Sequence, residues 1–426
     1  MQLNQKRPKI FYGWWIVAAC LLITSYTGGI VYFGFTAVVE PIAEEFGWSY
    51  AQISFASSLR GLEMGLLAPL VGFLADRWGP RRLTFGGSIL VGLGLVVFSR
   101  VSSLGAFYLA FTIIAIGMTT CLDTMLITVV GKWFRKKIGI ATGIVVSGFG
   151  FGGLLVPLVT ILVDTLQWRA AMFILSLGMV VIVTPLSLLL RHKPEQYGYL
   201  PDGDVSGSLA TGEVPASAES VEIDVPAKQA LRSNVFWHVA LASMCHSFVI
   251  GAVITHIMPF LSSIDITRST ASLVALVLPV ISVAGRLGAG LIRNGLDERR
   301  VYAMAYALLT IAMVSLGYVA GGATWLLVPF AIVFSFGWGT SVTTRMVLLR
   351  KHFGRSSFGT ILGFASGVMM MGSMAGAPLA GWVFDTWGSY QGIWFGLVSL
   401  TLGGLVLALT TPRIGNTVGM NDNPRM

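Results

Sequence analysis

Gly72-Phe73-Leu74-Ala75-Asp76-Arg77-Trp78-Gly79-Pro80-Arg81-Arg82-Leu83 is met twice in this chain. Its echo, Gly290-Leu291-Ile292-Arg293-Asn294-Gly295-Leu296-Asp297-Glu298-Arg299-Arg300-Val301, begins 218 residues later. In both copies a glycine closes an apolar run, Asp or Asn follows four residues on, and paired arginines precede the next apolar run. At the same offset Pro41 matches Pro259 and Ser54 matches Ser272. At an offset of 220, Gly139 and Gly143 match Gly359 and Gly363, and Gly152 matches Gly372. Agreement at three loci with nearly one offset marks a duplicated unit.

The composition says what kind of unit is duplicated. Of 426 residues, 55% are apolar and 11% charged, where soluble domains carry about 25% charge. The mean hydropathy of +0.78 agrees. A soluble globular protein, a disordered chain and a secreted disulfide scaffold are all excluded. No Asp, Glu, Lys or Arg occurs at 10–39, 138–163, 170–190, 233–264, 301–344, 356–384 or 386–412. A bilayer core of ~30 Å needs about 20 apolar residues per helix, so each run holds at least one span. The run at 301–344 holds two, broken at Gly321-Gly322. The expected fold is an all-α membrane protein of twelve transmembrane helices. They fall at 13–38, 51–75, 83–99, 104–130, 138–163, 170–190, 235–261, 271–293, 301–319, 324–349, 358–382 and 391–411.

Residues 191–233 are polar, rich in Pro, Gly and Ser, and carry seven acids, the composition of a linker. The expected organisation is therefore an N-terminal six-helix half (1–190), a cytoplasmic linker (191–233) and a C-terminal six-helix half (234–426). Charge sets the orientation. With the N-terminus inside, 22 of the 28 basic residues fall on the cytoplasmic side, so both termini are expected there. The first apolar stretch lacks a small-residue cleavage pattern and reads as a span rather than a signal peptide. Duplication of a six-helix unit is a pattern of secondary transporters, with substrate bound near the midplane between the repeats.

Residues 72–83 resemble the loop between helices two and three of the major facilitator superfamily. The resemblance implies that fold over nearly the whole chain. It also implies a cytoplasmic gating role for Gly72, Asp76, Arg77, Gly79, Arg81 and Arg82. A second stretch, Lys132-Trp133-Phe134-Arg135-Lys136-Lys137 followed by Ala141, Gly143, Ser147 and Gly148, resembles the start of helix five in the monocarboxylate porter group. That group also holds bacterial oxalate/formate-type antiporters. Tyr12-Gly13-Trp14-Trp15 is similar to the group's Gly/Trp-rich opening. The chain also departs from the group. Its first helix carries no cation, Ser282 stands where the animal branch has an acid one turn before the helix-eight arginine, and Asp123 stands where several bacterial relatives have a tyrosine.

A charge at the centre of a span costs at least ~2.5–3.5 kcal/mol on insertion scales, so each needs a reason. Arg286 sits among small residues with no acid one turn away on its own helix. A guanidinium facing a wet cavity binds a carboxylate through two parallel hydrogen bonds. The resemblance makes Arg286 the substrate-binding arginine, the other reading being a structural pair with Asp123 or Glu63. From their places in the spans, Tyr26, Tyr32 and Trp338 are candidate cavity lining. Arg60 and Glu63 share a helix face at i,i+3. They are read either as a packed ion pair or as a proton acceptor that frees an arginine. Asp123 and His246 complete the proton-coupling candidates. His256 is expected as a hydrogen-bonded helix contact. Arg345, five residues before Arg350, is expected to snorkel toward the cytoplasmic interface.

The net charge of +9 is dispersed over the cytoplasmic loops, so no nucleic-acid surface is expected. Cys20, Cys121 and Cys245 lie in apolar spans without metal or disulfide spacing. Gly148-Phe149-Gly150-Phe151-Gly152-Gly153 matches G-x-G-x-x-G formally, but lacks the strand that a nucleotide site needs. Glycines there permit tight helix crossing. No cofactor, no metal and no enzymatic activity are expected. The expected function is proton-coupled transport of small organic anions, lactate- or pyruvate-like monocarboxylates first, by a monomer in a prokaryotic cytoplasmic membrane. The rivals are a carboxylate/carboxylate antiporter and a proton-driven exporter of hydrophobic or cationic solutes that uses Asp123 and Glu63 as recognition groups.

Overall fold

The computed structural model describes residues 11–134, 137–192, 194–197, 199, 225–291, 297–354 and 358–412. Among them every regular element is a helix: α1 (Tyr12–Thr27), α2 (Thr36–Phe46), α3 (Tyr50–Trp78), α4 (Pro80–Ser99), α5 (Leu104–Cys121), α6 (Asp123–Trp133), α7 (Ile138–Phe151), α8 (Val156–Gly178), α9 (Thr184–Ser187), α10 (Ala227–Ala230), α11 (Asn234–Ser262), α12 (Arg268–Leu291), α13 (Glu298–Ala320), α14 (Leu327–Phe353), α15 (Phe358–Trp387) and α16 (Gln391–Thr410). A π-helical stretch, Gly28–Phe33, carries α1 toward α2.

Ten helical segments among the described residues are long and apolar enough to cross a bilayer. One of them, Ile140–Ser187, runs 48 residues. At 1.5 Å per residue that is about twice the hydrocarbon thickness. It breaks inside α8 at Gln167, whose φ of 66° and ψ of 154° are not helical. The segment is therefore two crossings, meeting near the predicted loop at 164–169. Helix α3, at 29 residues, is long enough for another crossing, although Arg60 and Glu63 lower its apolarity. This restores the twelve helices expected from the sequence. The first span runs further than the apolar pattern suggests, to Phe46, because Glu40, Glu44 and Glu45 continue the helix beyond the apolar run.

The chain condenses into two compact units, one of residues 1–35 and 66–215, the other of 36–65 and 216–426. In the first unit α1 and α7 cross where the glycine run lies. A Cβ on Gly148 would stand 2.6 Å from the Leu21 carbonyl, and one on Gly152 2.7 Å from the Gly29 nitrogen. Ser25 Oγ bonds the Gly148 carbonyl across this crossing at 2.9 Å. The formal nucleotide pattern is thus a helix contact. In the second unit α12 and α14 cross with comparable closeness. A Cβ on Gly285 would meet the Phe336 carbonyl, and one on Gly339 would overlap the Ser282 carbonyl. Small residues that let backbones approach are the usual basis of membrane helix packing.

Candidate functional site

The α12–α14 crossing of the second unit positions Arg286. Thr340 Oγ1 donates to the Gly285 carbonyl and Thr343 Oγ1 to the Arg286 carbonyl, both at 3.3 Å. The Arg286 guanidinium lies 6.0 Å from the centre of the Trp338 ring, at the limit of cation–π attraction. Trp338 itself is buried. Ser282 donates to the Pro279 carbonyl on its own helix at 2.6 Å. His246 of α11 is buried nearby and feels the charges of both Arg345 and Arg286. The structure therefore brings together Arg286, Trp338 and His246, three residues singled out from sequence on three different helices.

Arg345 departs from expectation. Its side chain does not reach the cytoplasmic interface. It is 8% exposed, with one guanidinium nitrogen against Met369 Sδ. Its electrostatic neighbours are His246 and the phenols of Tyr302 and Tyr306. The reason is packing: helices α11, α13 and α15 close around α14 at this level. The spacing could have signalled it, because Trp338 and Arg345 are seven residues apart and so occupy one stripe of α14.

The remaining candidates of this unit lie on α3. Arg60 is buried and Glu63 half-buried, away from the stripe of Ser58, Gly61 and Gly65 by which α3 packs on α15. Ser58 donates to the Met374 carbonyl at 2.6 Å there, and Gly61 sits against Ser373. Nearby is a polar cluster that sequence reading only touched. His256 Nε2 lies 2.9 Å from both Ser54 Oγ and the Ala377 carbonyl, and its Nδ1 lies 3.0 Å from the Tyr390 hydroxyl. His256 is a hydrogen-bonded helix contact, as expected. Asp385 accepts from the backbone N–H of Tyr50 and Ala51 at 3.0 and 2.9 Å, closing the N-terminus of α3. Arg268 pairs with Glu40 at 2.6 Å and also donates to the Ala37 carbonyl. No single motif announced this cluster, because its bonded pairs lie 121 to 335 residues apart along the chain.

In the first unit the two family-like motifs meet. Tyr12 packs on Trp133 with ring centres 5.6 Å apart, and Trp14 on Phe134 at 4.9 Å. Trp133 Nε1 donates to the Arg191 carbonyl at 3.0 Å, while the Arg191 guanidinium lies 3.8 Å from the Tyr12 ring centre. Tyr26 reaches the Leu175 carbonyl at 3.1 Å and fills the space over Gly178, a helix contact. Tyr32 stacks edge-on against Phe149. Gly79 adopts φ 79°, which glycine alone tolerates easily, and leads into α4 with Pro80 at the first helical position. Arg77, Arg81 and Arg82 are exposed. The side chains of Asp76 and Asp123, and the surroundings of Gly72, lie outside the described set. The backbone around Asp123 is informative all the same. Leu122 is extended (φ −115°, ψ −179°), so the fourth span is interrupted there and Asp123 opens α6. Interrupted helices are where transporters expose backbone to a binding cavity.

A repeated sequence motif, interrupted helices long enough to cross a bilayer and a half-buried arginine near an aromatic ring fit a multi-pass membrane transporter. The chain belongs to the Major Facilitator Superfamily, whose family description matches residues 14–373. It is 26% identical to mouse monocarboxylate transporter 12 over 400 residues, covering 89% of this chain and 81% of that protein. Human monocarboxylate transporter 7 is 22% identical, covering 94% and 86%. An uncharacterised MFS-type transporter of Escherichia coli K12, YhjX, is 23% identical, covering 83% and 85%. In fold, the chain matches a bacterial homologue of the human lysosomal transporter Spinster, seen inward-facing and occupied, with a TM-score of 0.66, 16% identity and 95% of both chains covered. The protein is a transporter and not an enzyme, with a small-molecule substrate.

Proposed function

We propose that this protein is a secondary active transporter of small organic anions, coupled to protons and working by alternating access. Monocarboxylates of lactate or pyruvate size are the first substrates to test. The observation that carries the reading is Arg286, held on a rigid glycine crossing and facing Trp338. A carboxylate leaving water needs charge-assisted hydrogen bonds in exchange, and a guanidinium supplies two in parallel. The names of the monocarboxylate transporters that the chain resembles support the same substrate class. Tyr32 remains a candidate for the cavity wall. Glu63, with Arg60 one turn away, and Asp123, at the helix interruption, are the proton carriers of this reading, and His246 is a further candidate. The motif residues Gly72, Asp76, Arg77, Gly79, Arg81 and Arg82 would serve the cytoplasmic gate. The halves at 1–190 and 234–426 would rock about the site, joined by the linker at 191–233. The unit of function is a monomer with both termini in the cytoplasm, in a prokaryotic cytoplasmic membrane.

The test is uptake of labelled carboxylates by proteoliposomes, with and without an imposed pH gradient. The reading requires uptake that rises with inward proton gradient and is competed by other carboxylates. Competition by lipophilic cations instead would favour an exporter of cationic solutes. Gradient-independent exchange of one carboxylate for another would favour an antiporter.

A further inference from the structure

Residues 36–65 come early in the chain, yet they condense with residues 216–426. We infer that this segment is a latch. Glu40, Tyr50 and Ser54 hold the end of the first span and the start of the second onto α11, α12 and α15, and these contacts break once in each transport cycle, when the face away from the N-terminus opens. The inference rests on alternating access, and not on the substrate class or the proton.

Three observations carry it. First, the polar contacts gather at one end of the helices. Arg268, the first residue of α12, donates to Glu40 at 2.6 Å, and Ser262, the last of α11, donates to the same carboxylate at 3.3 Å. Asp385, near the end of α15, accepts from the first two amides of α3. Ser54, one turn further along α3, meets His256 of α11. Second, one acceptor of the seam exists because of a proline. Pro41 has no N–H, so the Ala37 carbonyl one turn back is left without its helical donor. Arg268 fills that vacancy at 3.0 Å. Pro41 is the repeat counterpart of Pro259, which lies inside α11, and the Met258 N–H beside it donates to Thr36 Oγ1 at 3.3 Å. Corresponding ends of the two repeats are thus joined, at a proline in each. Third, the seam is built to release. A hydrogen bond exchanged for water costs little net free energy. The Arg268 and Glu40 side chains keep 28% and 23% of their surface exposed, so their ion pair is a weak one. Contacts of this kind select a closed state without fixing it, and alternating access requires that a closed end reopen.

The experiment is N-ethylmaleimide labelling of Thr36→Cys in the full-length protein purified in detergent, followed by mass spectrometry beside a thermal melt. Thr36 is buried, and so are the native Cys20, Cys121 and Cys245, so labelling of the parent is expected to be slow. Adding Glu40→Gln or Arg268→Gln should speed it roughly two- to tenfold, the effect of one partly exposed charged contact, with little change in the melt. Glu40→Arg and Arg268→Glu should each do the same. Combined, they restore an ion pair and should bring the rate at least halfway back to the parent. An unchanged rate in both Gln variants would overturn the latch. So would faster labelling that the exchanged pair does not reverse, because that marks loosened packing rather than a lost contact. Should a charge variant fail to fold, Ser54→Ala, which deletes one hydroxyl of the seam, decides: faster labelling supports the latch and an unchanged rate overturns it. Absence of carboxylate uptake by the wild type would overturn the organic-anion reading and leave these rates to judge the latch alone.

Discussion

At Arg286 the question is what a guanidinium offers an organic anion that water does not. Water solvates a carboxylate well, so the gain comes from a fixed, partly dehydrated fork whose geometry is set before the anion arrives. The α12–α14 crossing supplies that fixity through Gly285, Gly339 and two threonine hydroxyls. Truncation to Arg286→Gln should therefore cost about 1.5–3 kcal/mol of binding, or roughly 10- to 150-fold in affinity. Arg286→Lys keeps the charge but not the fork, and should fall between wild type and Gln. Titration of a carboxylate into each purified variant, beside a thermal melt, checks the order; unchanged affinity in Arg286→Gln would remove it from the binding site. The candidacy of Arg286 was legible in the sequence, as a cation among small residues. The burial of Arg345 was not, because its nearness to Arg350 along the chain suggested an exit that Met369, His246 and Tyr302 close from other helices. The direction of a long side chain is decided by neighbours far off in sequence, and periodicity sees only its own helix.

Helix spans were legible from uncharged runs, because burial in lipid allows few charges to interrupt them. Their joints were not. The extended Leu122 inside the fourth span and the π-helical stretch at Gly28–Phe33 are tertiary features that leave the hydropathy unchanged. The glycines at close crossings are a more readable signal, although sequence alone does not distinguish them from glycines facing open space. That distinction makes a prediction. Gly339→Ala places a methyl into the Ser282 carbonyl and 2.8 Å from the Arg286 nitrogen. Overpacking of this kind costs about 1–3 kcal/mol, so the melting midpoint in detergent should fall and carboxylate affinity with it. Gly403→Ala, where nothing lies within 4 Å, should melt at or above wild type. Equal melts for the two variants would contradict the crossing described here. A second prediction concerns the N-terminus of α3, whose first amides are met by Asp385. Asp385→Ala leaves them to water and should destabilise by roughly 0.5–2 kcal/mol, the range of a lost N-cap. Asp385→Asn keeps an acceptor and should lose less. Thermal melts of the two variants give the comparison, and a melt of Asp385→Ala indistinguishable from wild type would show that the contact contributes nothing.

Proton coupling is a property of the whole molecule, because it ties a titrating group to the movement of substrate across the membrane. One unit of pH difference is worth about 1.4 kcal/mol per proton. An electroneutral carrier moving one proton with each monoanion should therefore accumulate substrate about tenfold per pH unit. Of the acids inside the spans, Glu63 and Asp123 are the candidates for the task. Glu63 belongs to the second compact unit, half-buried on α3 one turn from Arg60. Asp123 belongs to the first, opening α6 where the fourth span is interrupted. An amide of the same shape keeps hydrogen bonds but binds no proton. If either acid is the carrier, Glu63→Gln or Asp123→Asn should abolish accumulation against the gradient. Exchange of labelled for unlabelled substrate should survive, since exchange needs no net proton movement. Both measurements use the same proteoliposomes, so a variant that merely fails to fold is recognised by the loss of exchange. Wild-type accumulation in both variants, with exchange intact, would remove both acids as carriers. His246, buried against Arg286 and Arg345, would then be the next group to replace, and His246→Gln in the same vesicles should be the variant that accumulates nothing.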